Sequence, residues 1–255
     1  MHAYWIMLRK EWLELKRSYK FIIMPIAYLI IMLTLPIVMK LLPDLIEQDL
    51  PKGTIIEIPE STASDILTGM FSNFEQLGII ALILFVMGSI SGEREKGIAP
   101  MVLSKPISRF AYFSAKWTIF NLLSIISYMI GLSVTLYYTR ILFDGQMDWL
   151  AIMKGNSLLL LILILCVTIT LFYSAFCKST LMAGFLSYAT YLAITKVGAY
   201  LPSRPEKYTP SYLIERANEM MTGSQVNAAA SIIGTVVILS ILFSLANSIL
   251  KRQEI

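Results

Sequence analysis

The charged side chains with the closest spacing are Glu93, Arg94, Glu95 and Lys96, in the stretch Gly92–Gly97. The two glycines that enclose them have the spacing of the glycines in a phosphate-binding P-loop. That loop also needs a lysine and a hydroxyl residue directly after its second glycine, to hold phosphate and magnesium. Isoleucine and alanine follow here. The stretch is therefore not predicted to bind a nucleotide.

Other residue types that could do chemistry are scarce. The single histidine is His2, which excludes a multi-histidine metal site and most Ser-His catalysis. Cys166 and Cys177 match no metal or redox spacing and are interpreted as buried apolar residues. The chain is predicted to be no enzyme and to hold no cofactor or metal of its own.

Long apolar segments occupy most of the chain. Of its 255 residues 56% are hydrophobic and 15% charged, whereas soluble domains have about 45–50% and about 25%. A membrane-spanning helix needs about 20 apolar residues. Six segments qualify, the second if it extends back to Phe71: Phe21–Met39, Gln76–Ile90, Thr118–Tyr138, Ser157–Phe176, Leu181–Tyr200 and Asn227–Leu250. Because these runs are unbroken, they predict an all-α integral membrane bundle of six transmembrane helices, one domain over residues 1–255.

The middles of these six segments contain no Asp or Glu. Carboxylates at the bilayer centre usually serve ion or proton movement, so an ion-coupled transporter is not predicted. Lys196 lies in the outer third of the fifth segment. It is interpreted as snorkelling to the membrane interface, and an ion pair with an outer carboxylate is the alternative.

Basic residues are unevenly distributed between the connecting segments. If the N-terminus is cytoplasmic, the inner segments carry thirteen of the 21 Lys and Arg but five of the 17 Asp and Glu. Basic residues concentrate in cytoplasmic loops, so both termini are predicted to be cytoplasmic. The positive charge is explained by topology and by membrane lipid, the expected partner, and no nucleic acid is expected to bind.

The segments that flank the spans add three local predictions. In residues 1–20, Trp5, Leu8, Trp12 and Leu15 share one helical face, which predicts an amphipathic helix in the inner membrane interface. The short connection 177–180 predicts a tight hairpin of the fourth and fifth spans. Apolar residues at helical spacing over 212–221 predict a short helix on the outer surface.

The longest inner connection, residues 91–117, combines charges, an apolar stretch and two breaks. Ile98–Leu103 is apolar and follows the charged stretch, and Pro106 then interrupts the chain. Ser108 is placed to cap a helix that runs into the third span. This pattern predicts a short helix below the membrane, whose apolar side chains need lipid or a partner protein to cover them.

This connection resembles that of the ABC-2 type permease family, the membrane half of ATP-driven exporters. Members show a Gly-Glu-Arg-Glu-x-Gly element after the second span and a Ser-Lys-Pro-x-Ser-Arg-x-x-Tyr element before the third. Here these are Gly92–Gly97 and Ser104–Tyr112. Among bacterial permeases with a separate ATPase, the chain is similar to NatB-like and NosY-like subunits, which implies a multi-pass protein of the bacterial cell membrane.

The resemblance implies a permease subunit of an ATP-binding cassette exporter. A coupling helix around Glu93–Leu103 would dock a separate nucleotide-binding ATPase, which binds the ATP and magnesium. A second permease, a copy or a paralogue, would complete the assembly. The implied docking residues are Glu93, Arg94, Glu95, Lys96, Met101 and Leu103.

Two other functions are considered. One is a membrane anchor or assembly subunit of an ABC-like complex that transports nothing. The other is an intramembrane enzyme. Its nucleophile would be a serine of the spans, such as Ser124, Ser127, Ser157 or Ser187, and Lys196 would be the possible base.

Overall fold

A computed structural model of the chain describes residues 2–49, 63–98, 108–143, 148–196, 203–224 and 226–252. All regular elements within these ranges are helical, which confirms the all-α class. In chain order they are α1 (His2–Arg17), α2 (Lys20–Asp49), α3 (Ala63–Asn73), a π-helical turn (Phe74–Gly78), α4 (Ile79–Val86), α5 (Ser91–Glu95), α6 (Arg109–Leu142), α7 (Trp149–Phe176), α8 (Thr180–Lys196), α9 (Ser203–Glu206), α10 (Pro210–Met221) and α11 (Ala229–Arg252).

Five stretches of helix within the described residues are long and apolar enough to cross a membrane. They are Lys20–Leu42, Asp65–Glu95, Arg109–Leu142, Trp149–Phe176 and Ala229–Arg252. The predicted first, second, third, fourth and sixth spans coincide with them. The described part of the predicted fifth span is α8, with 17 residues. The multi-pass helical architecture is therefore confirmed, and the count of six stays a prediction.

Helix α7 lies at the centre of the bundle. The most apolar part of α7 is 72% buried, whereas the corresponding parts of α2 and α11 are 22% and 17% buried. Helices α4, α6, α8, α10 and α11 all pack against α7. Because α2 and α11 are mainly exposed, they form outer faces of the bundle, which suits contact with lipid.

The second span is one composite helix with a π-helical turn in its middle. At this turn the Phe74 ring lies edge-on to the rings of Tyr28 and Tyr128, with centroids 4.9 Å away in each case. Gly78 makes room for that ring, since a Cβ there would lie 2.5 Å from the Phe74 ring carbons. The turn thus joins α2, the second span and α6 through an aromatic core.

Helix α1 forms as predicted. Of its predicted apolar face, Leu15 is buried and Leu8 and Trp12 are partly buried against the core. Trp5 is 64% exposed, whereas Met7, Glu11 and Leu15 are buried. These three residues are four apart and face α6 and α2, which α1 packs against. Tyr19, with φ 56°, separates α1 from α2. One carboxylate of the N-terminal helix is therefore buried inside the protein.

Three local predictions are confirmed by the described helices. The Ser108 hydroxyl accepts a hydrogen bond from the Ala111 amide at 3.2 Å, and α6 begins at the next residue. Helices α7 and α8 pack together as a hairpin across a three-residue connection. The predicted helix over 212–221 is present as α10.

Lys196 forms the ion pair that was the alternative to snorkelling, and its side chain stays 59% exposed. Its ammonium lies 2.8 Å from the Glu75 carboxylate of the second span, and the Glu75 side chain is 11% exposed. The carboxylate borders the apolar interior, so it needs a counter-charge. The alternative, an ion pair with a carboxylate at that end of the bundle, is what the structure has.

Gly155 sets the distance between α7 and α10. A Cβ at this position would lie 2.7 Å from the Ala217 carbonyl oxygen and 2.3 Å from Met221 Cγ. Backbone cannot yield as a flexible side chain does, so Gly155→Ala should destabilise the fold by about 1–3 kcal/mol. Thermal unfolding of the detergent-purified protein measures this loss.

Gly92→Ala is the matched control for that measurement. A Cβ at Gly92 has the Thr180 hydroxyl oxygen as its nearest neighbour, at an ordinary 3.5 Å. This variant should unfold at the wild-type temperature or slightly above, because alanine favours helix. Equal unfolding temperatures for the Gly155 variant and wild type would contradict the close packing of α7 on α10.

Candidate functional site

The second span is interrupted near its C-terminal end, between α4 and α5. Ser174 of α7 satisfies the interrupted backbone. Its hydroxyl accepts hydrogen bonds from the amides of Ile90 and Ser91, both at 3.0 Å, and donates to the Met87 carbonyl at 2.6 Å. Unpaired backbone groups are costly where water is excluded. One hydroxyl therefore holds the start of α5 against the central helix.

A buried group of charges lies next to this interruption. The Lys116 ammonium of α6 is 2.9 Å from Glu11 of α1 and 2.9 Å from Glu93 of α5. The three side chains are 1%, 3% and 5% exposed, in that order. Lys10 also pairs with Glu11 and Glu93, and the Tyr112 hydroxyl donates to Glu93. We call Lys10, Glu11, Glu93, Tyr112 and Lys116 the inner ion cluster.

The helical repeat brings the side chains of the inner ion cluster together. Tyr112 and Lys116 are four residues apart and thus on one face of α6, as Met7, Glu11 and Leu15 are on α1. Glu93 comes from the first turn of α5. Replacing a buried ion pair by apolar residues is often neutral, but removing one partner strands the other charge in the interior. The cluster therefore fixes the relative position of three helices more than it adds stability.

Lys10 closes the inner ion cluster at its edge, where its side chain is 30% exposed. It also pairs with Glu14, one turn along α1, at 2.7 Å. Burial and the neighbouring Lys116 lower the pKa of Lys10, but the carboxylates of Glu11, Glu14 and Glu93 together outweigh them and raise it above its ordinary value. A lysine with a raised pKa keeps its charge at neutral pH, so this edge of the cluster stays ionised.

A small cavity of about 160 Å³ adjoins the inner ion cluster. The carboxylates of Glu11, Glu14 and Glu93 come close enough together to hold a cation. The ammonium groups of Lys10 and Lys116 already lie between these carboxylates and neutralise them. The arrangement is therefore an ion-pair network, and the role of these side chains is to position the helices that carry them.

The next two charges attach α5 to the hairpin of α7 and α8. Arg94 donates to the backbone carbonyl of Ala175 at 3.0 Å, near the end of α7. Glu95 accepts hydrogen bonds from the Thr180 amide at 2.9 Å and the Thr180 hydroxyl at 3.0 Å. A cation at a helix C-terminus and an anion at a helix N-terminus both complement the helix dipole. The two side chains thus join α5 to two further helices.

The four charges of the docking prediction are not one outward-facing set. Glu93 is buried in the inner ion cluster and Arg94 is half-buried against α7, whereas Glu95 and Lys96 are exposed. Gly97, with φ +69°, then turns the chain, and Ile98 is 40% exposed. The other two docking residues, Met101 and Leu103, lie outside the described residues. Docking of an ATPase by this segment stays a prediction.

The sequence carried a signal for the inner ion cluster that was missed. Glu11 lies four residues from both Met7 and Leu15, so a carboxylate interrupts an otherwise apolar helical face. Lys116 comes directly before the apolar third span and two turns into its helix. An isolated acidic residue on the apolar face of one helix and an isolated basic residue on that of another, at the same membrane depth, indicate a buried ion pair. Because Glu11 and Lys116 are 105 residues apart, the sequence does not show that they contact each other.

The serines considered as nucleophiles bond to their own helices. The hydroxyls of Ser124, Ser127 and Ser187 donate to carbonyls four residues earlier at 2.6–2.7 Å, and Ser157 donates to the Lys154 carbonyl at 2.6 Å. The possible base, Lys196, is paired with Glu75. Among the residues that the structure describes, none of these four hydroxyls is thus joined to a base that would activate it.

Comparison with known proteins relates the chain to a protein family and to a bacterial relative. Residues 5–203 match the family described as ABC-2 family transporter protein, a range that contains the whole inner ion cluster. The chain is also similar to the transmembrane protein YxlG of Bacillus subtilis (strain 168), with 35% identity over 140 residues. That alignment covers 54% of each protein, so the chain spans about half the length of this relative.

The inner ion cluster makes a direct prediction about Lys116. Lys116→Met removes the ammonium between Glu11 and Glu93 and leaves both carboxylates short of a partner in the interior. We expect a loss of about 3–5 kcal/mol of stability. Thermal unfolding in detergent measures this loss of stability. Proteolytic cleavage within α1 should also become faster, because α1 loses its attachment to Lys116.

Two further variants separate this effect from a general loss of charge. Lys178→Met removes an exposed lysine from the turn between α7 and α8 and should unfold like wild type. Adding Glu93→Gln to Lys116→Met should recover part of the stability, since Lys10 then has one fewer carboxylate to neutralise. A Lys116→Met protein as stable as wild type would contradict the role given to the cluster.

Proposed function

Because the chain belongs to the ABC-2 family of transporter proteins, we propose that it is the membrane-spanning permease subunit of an ATP-binding cassette exporter. It forms part of the translocation path and docks a separate ATPase through its first cytoplasmic loop. The observation that supports this most is the attachment of α5, at the base of that loop, to four helices. The ATPase binds ATP and magnesium, and this chain works without a cofactor.

The attachments of α5 describe how a partner's movement would reach the bundle. Glu93 joins α5 to α1 and α6, Arg94 joins it to α7, and Glu95 joins it to α8. A force applied to the loop beyond α5 would therefore act on all four helices. Rigid elements joined by ion pairs and hydrogen bonds are what energetic coupling between distant sites requires.

The docking surface begins where these attachments end. Lys96 and Ile98 are exposed, and the apolar residues Met101 and Leu103 follow in the sequence. An apolar centre with charges at its rim is the usual composition of a protein interface. In this proposal Glu95 and Lys96 set the partner's register, Met101 and Leu103 enter its groove, and Glu93 and Arg94 hold the base of the loop from within.

The orientation and the assembly complete the proposal. With the basic segments inside, the inner ion cluster and both termini face the cytoplasm of a bacterium, where the ATPase is. The mainly exposed apolar faces of α2 and α11 are available to membrane lipid and to a second permease, a copy or a paralogue. ABC-2 permeases then act as a pair, one ATPase bound to each.

Co-expression with each ATPase subunit whose gene adjoins the permease gene tests the proposal. One such ATPase should co-purify with the chain, and its ATP turnover should change when the chain is present. If no candidate ATPase associates with the chain or responds to it, the proposal is wrong. ATP-dependent flux in reconstituted vesicles distinguishes a permease from a subunit that only anchors or assembles, since the latter gives association without flux.

Met101→Glu combined with Leu103→Glu tests the docking surface itself. The amount of co-purified ATPase should fall about tenfold or more, because burying an unpaired carboxylate costs more than the ~1.4 kcal/mol that corresponds to tenfold in affinity. Leu150→Glu is the control, as Leu150 is 65% exposed at the opposite end of α7. Undiminished co-purification with the double variant would contradict docking at these residues.

A further inference from the structure

A groove of about 640 Å³ lies at the end of the bundle opposite the inner ion cluster. One side of it is formed by Lys207, Tyr208, Tyr212 and Arg216, and the other by the first two turns of α11, including Ala230 and Ile233. The distance between the two ends follows from α7. Gly155 contacts α10 and Ser174 contacts α5, and 19 helical residues correspond to about 30 Å, one membrane thickness.

The groove is positively charged. Both ionisable groups along it other than tyrosine are cations, Lys207 and Arg216. Within the described residues Lys207 is exposed and makes no ion pair. Arg216 pairs with Glu219 and lies 4.3 Å from the centre of the Tyr212 ring, while its Nε is buried and has no hydrogen-bond acceptor in the described part of the chain. The Tyr212 ring therefore holds an incompletely satisfied guanidinium beside the groove.

The two walls of the groove are held at a fixed distance. Gly234 of α11 lies against the Tyr208 carbonyl, and a Cβ at that position would come within 1.9 Å of the Tyr208 oxygen. The Thr209 hydroxyl donates to the Glu206 carbonyl at 2.7 Å and accepts from the Tyr212 amide at 3.3 Å. The wall that carries both cations is therefore formed before any ligand arrives, which lowers the entropic cost of binding.

An exposed apolar stripe runs along α11 from the groove towards the middle of the membrane. Ile233, Val237 and Ile241 are four residues apart, so they share one helical face, and they are 59%, 50% and 53% exposed. In a membrane-spanning helix such a face contacts acyl chains. The cations and the stripe together match a ligand with an anionic head and a hydrocarbon tail.

We propose that this groove is a binding site for an anionic phospholipid. The phosphate lies between Lys207 and Arg216, and an acyl chain follows the apolar stripe of α11. A zwitterionic lipid fits less well, because its head group places an ammonium beside the two cations. Inorganic phosphate satisfies the cations but leaves the stripe unused. The proposal is independent of the docking of an ATPase.

Lipid retention by the full-length protein in detergent tests the site. Phosphatidylglycerol, phosphatidylcholine with the same acyl chains, and inorganic phosphate are added separately, and bound molecules are counted by native mass spectrometry. Phosphatidylglycerol should be retained in preference to phosphatidylcholine. Lys207→Gln with Arg216→Gln should weaken its binding by about fivefold for each cation removed, whereas Lys154→Gln, an exposed lysine outside this groove at the same end, should leave it unchanged.

Ala230→Trp fills the groove while both cations remain, and it should also abolish the preference for phosphatidylglycerol. Thermal unfolding without added lipid shows whether each variant is folded. Equal retention of phosphatidylglycerol by wild type, the double variant and the tryptophan variant would overturn the proposal. If Lys154→Gln loses as much phosphatidylglycerol binding as the double variant, the proposal is overturned in favour of diffuse attraction to the charged surface. If equimolar inorganic phosphate displaces the lipid, the proposal is overturned in favour of a site for a free anion.

Discussion

The position of Lys116 constrains the end of the bundle at which α1, α5 and α6 meet. An ammonium that is 1% exposed stays charged in the interior only if carboxylates surround it. Neither carboxylate comes from its own helix, since Glu11 belongs to α1 and Glu93 to α5. The N-terminal helix must therefore dock on α6, and the C-terminal end of the second span must reach the same point. The chain beyond α5 consequently starts from a fixed base.

The membrane interior contrasts with its two ends. Between the ends, hydroxyls such as those of Ser124 and Ser127 bond to their own helix. Ion pairs between elements occur near the ends, at the inner ion cluster and at Glu75 and Lys196. In the proposed function the ATPase supplies the energy and the loop carries it to α1, α6, α7 and α8, while the lipid groove lies at the far end.

Much of the fold was predictable because its signals are local. Apolar length locates membrane helices whatever they pack against, so five predicted spans coincide with long apolar helices. The Ser108 cap and the hairpin of α7 and α8 depend on residues within four positions of each other. The family resemblance also rested on one short segment, and the family match over residues 5–203 confirms it. The bounds of the second span were harder to predict, because its helix begins well before its apolar run.

Sequence alone therefore determined the class, the membrane helices and the family, all of which follow from composition or from neighbours along the chain. Only the tertiary structure decided which charges face inward. The spacing of Glu93 and Glu95 shows that their side chains point in different directions from a helix. It does not show that Glu93 contacts Lys116 or that Glu95 contacts Thr180. Likewise Lys196 pairs with Glu75 across 121 residues. Long-range electrostatics depends on distance and burial, and both arise only when the helices have packed.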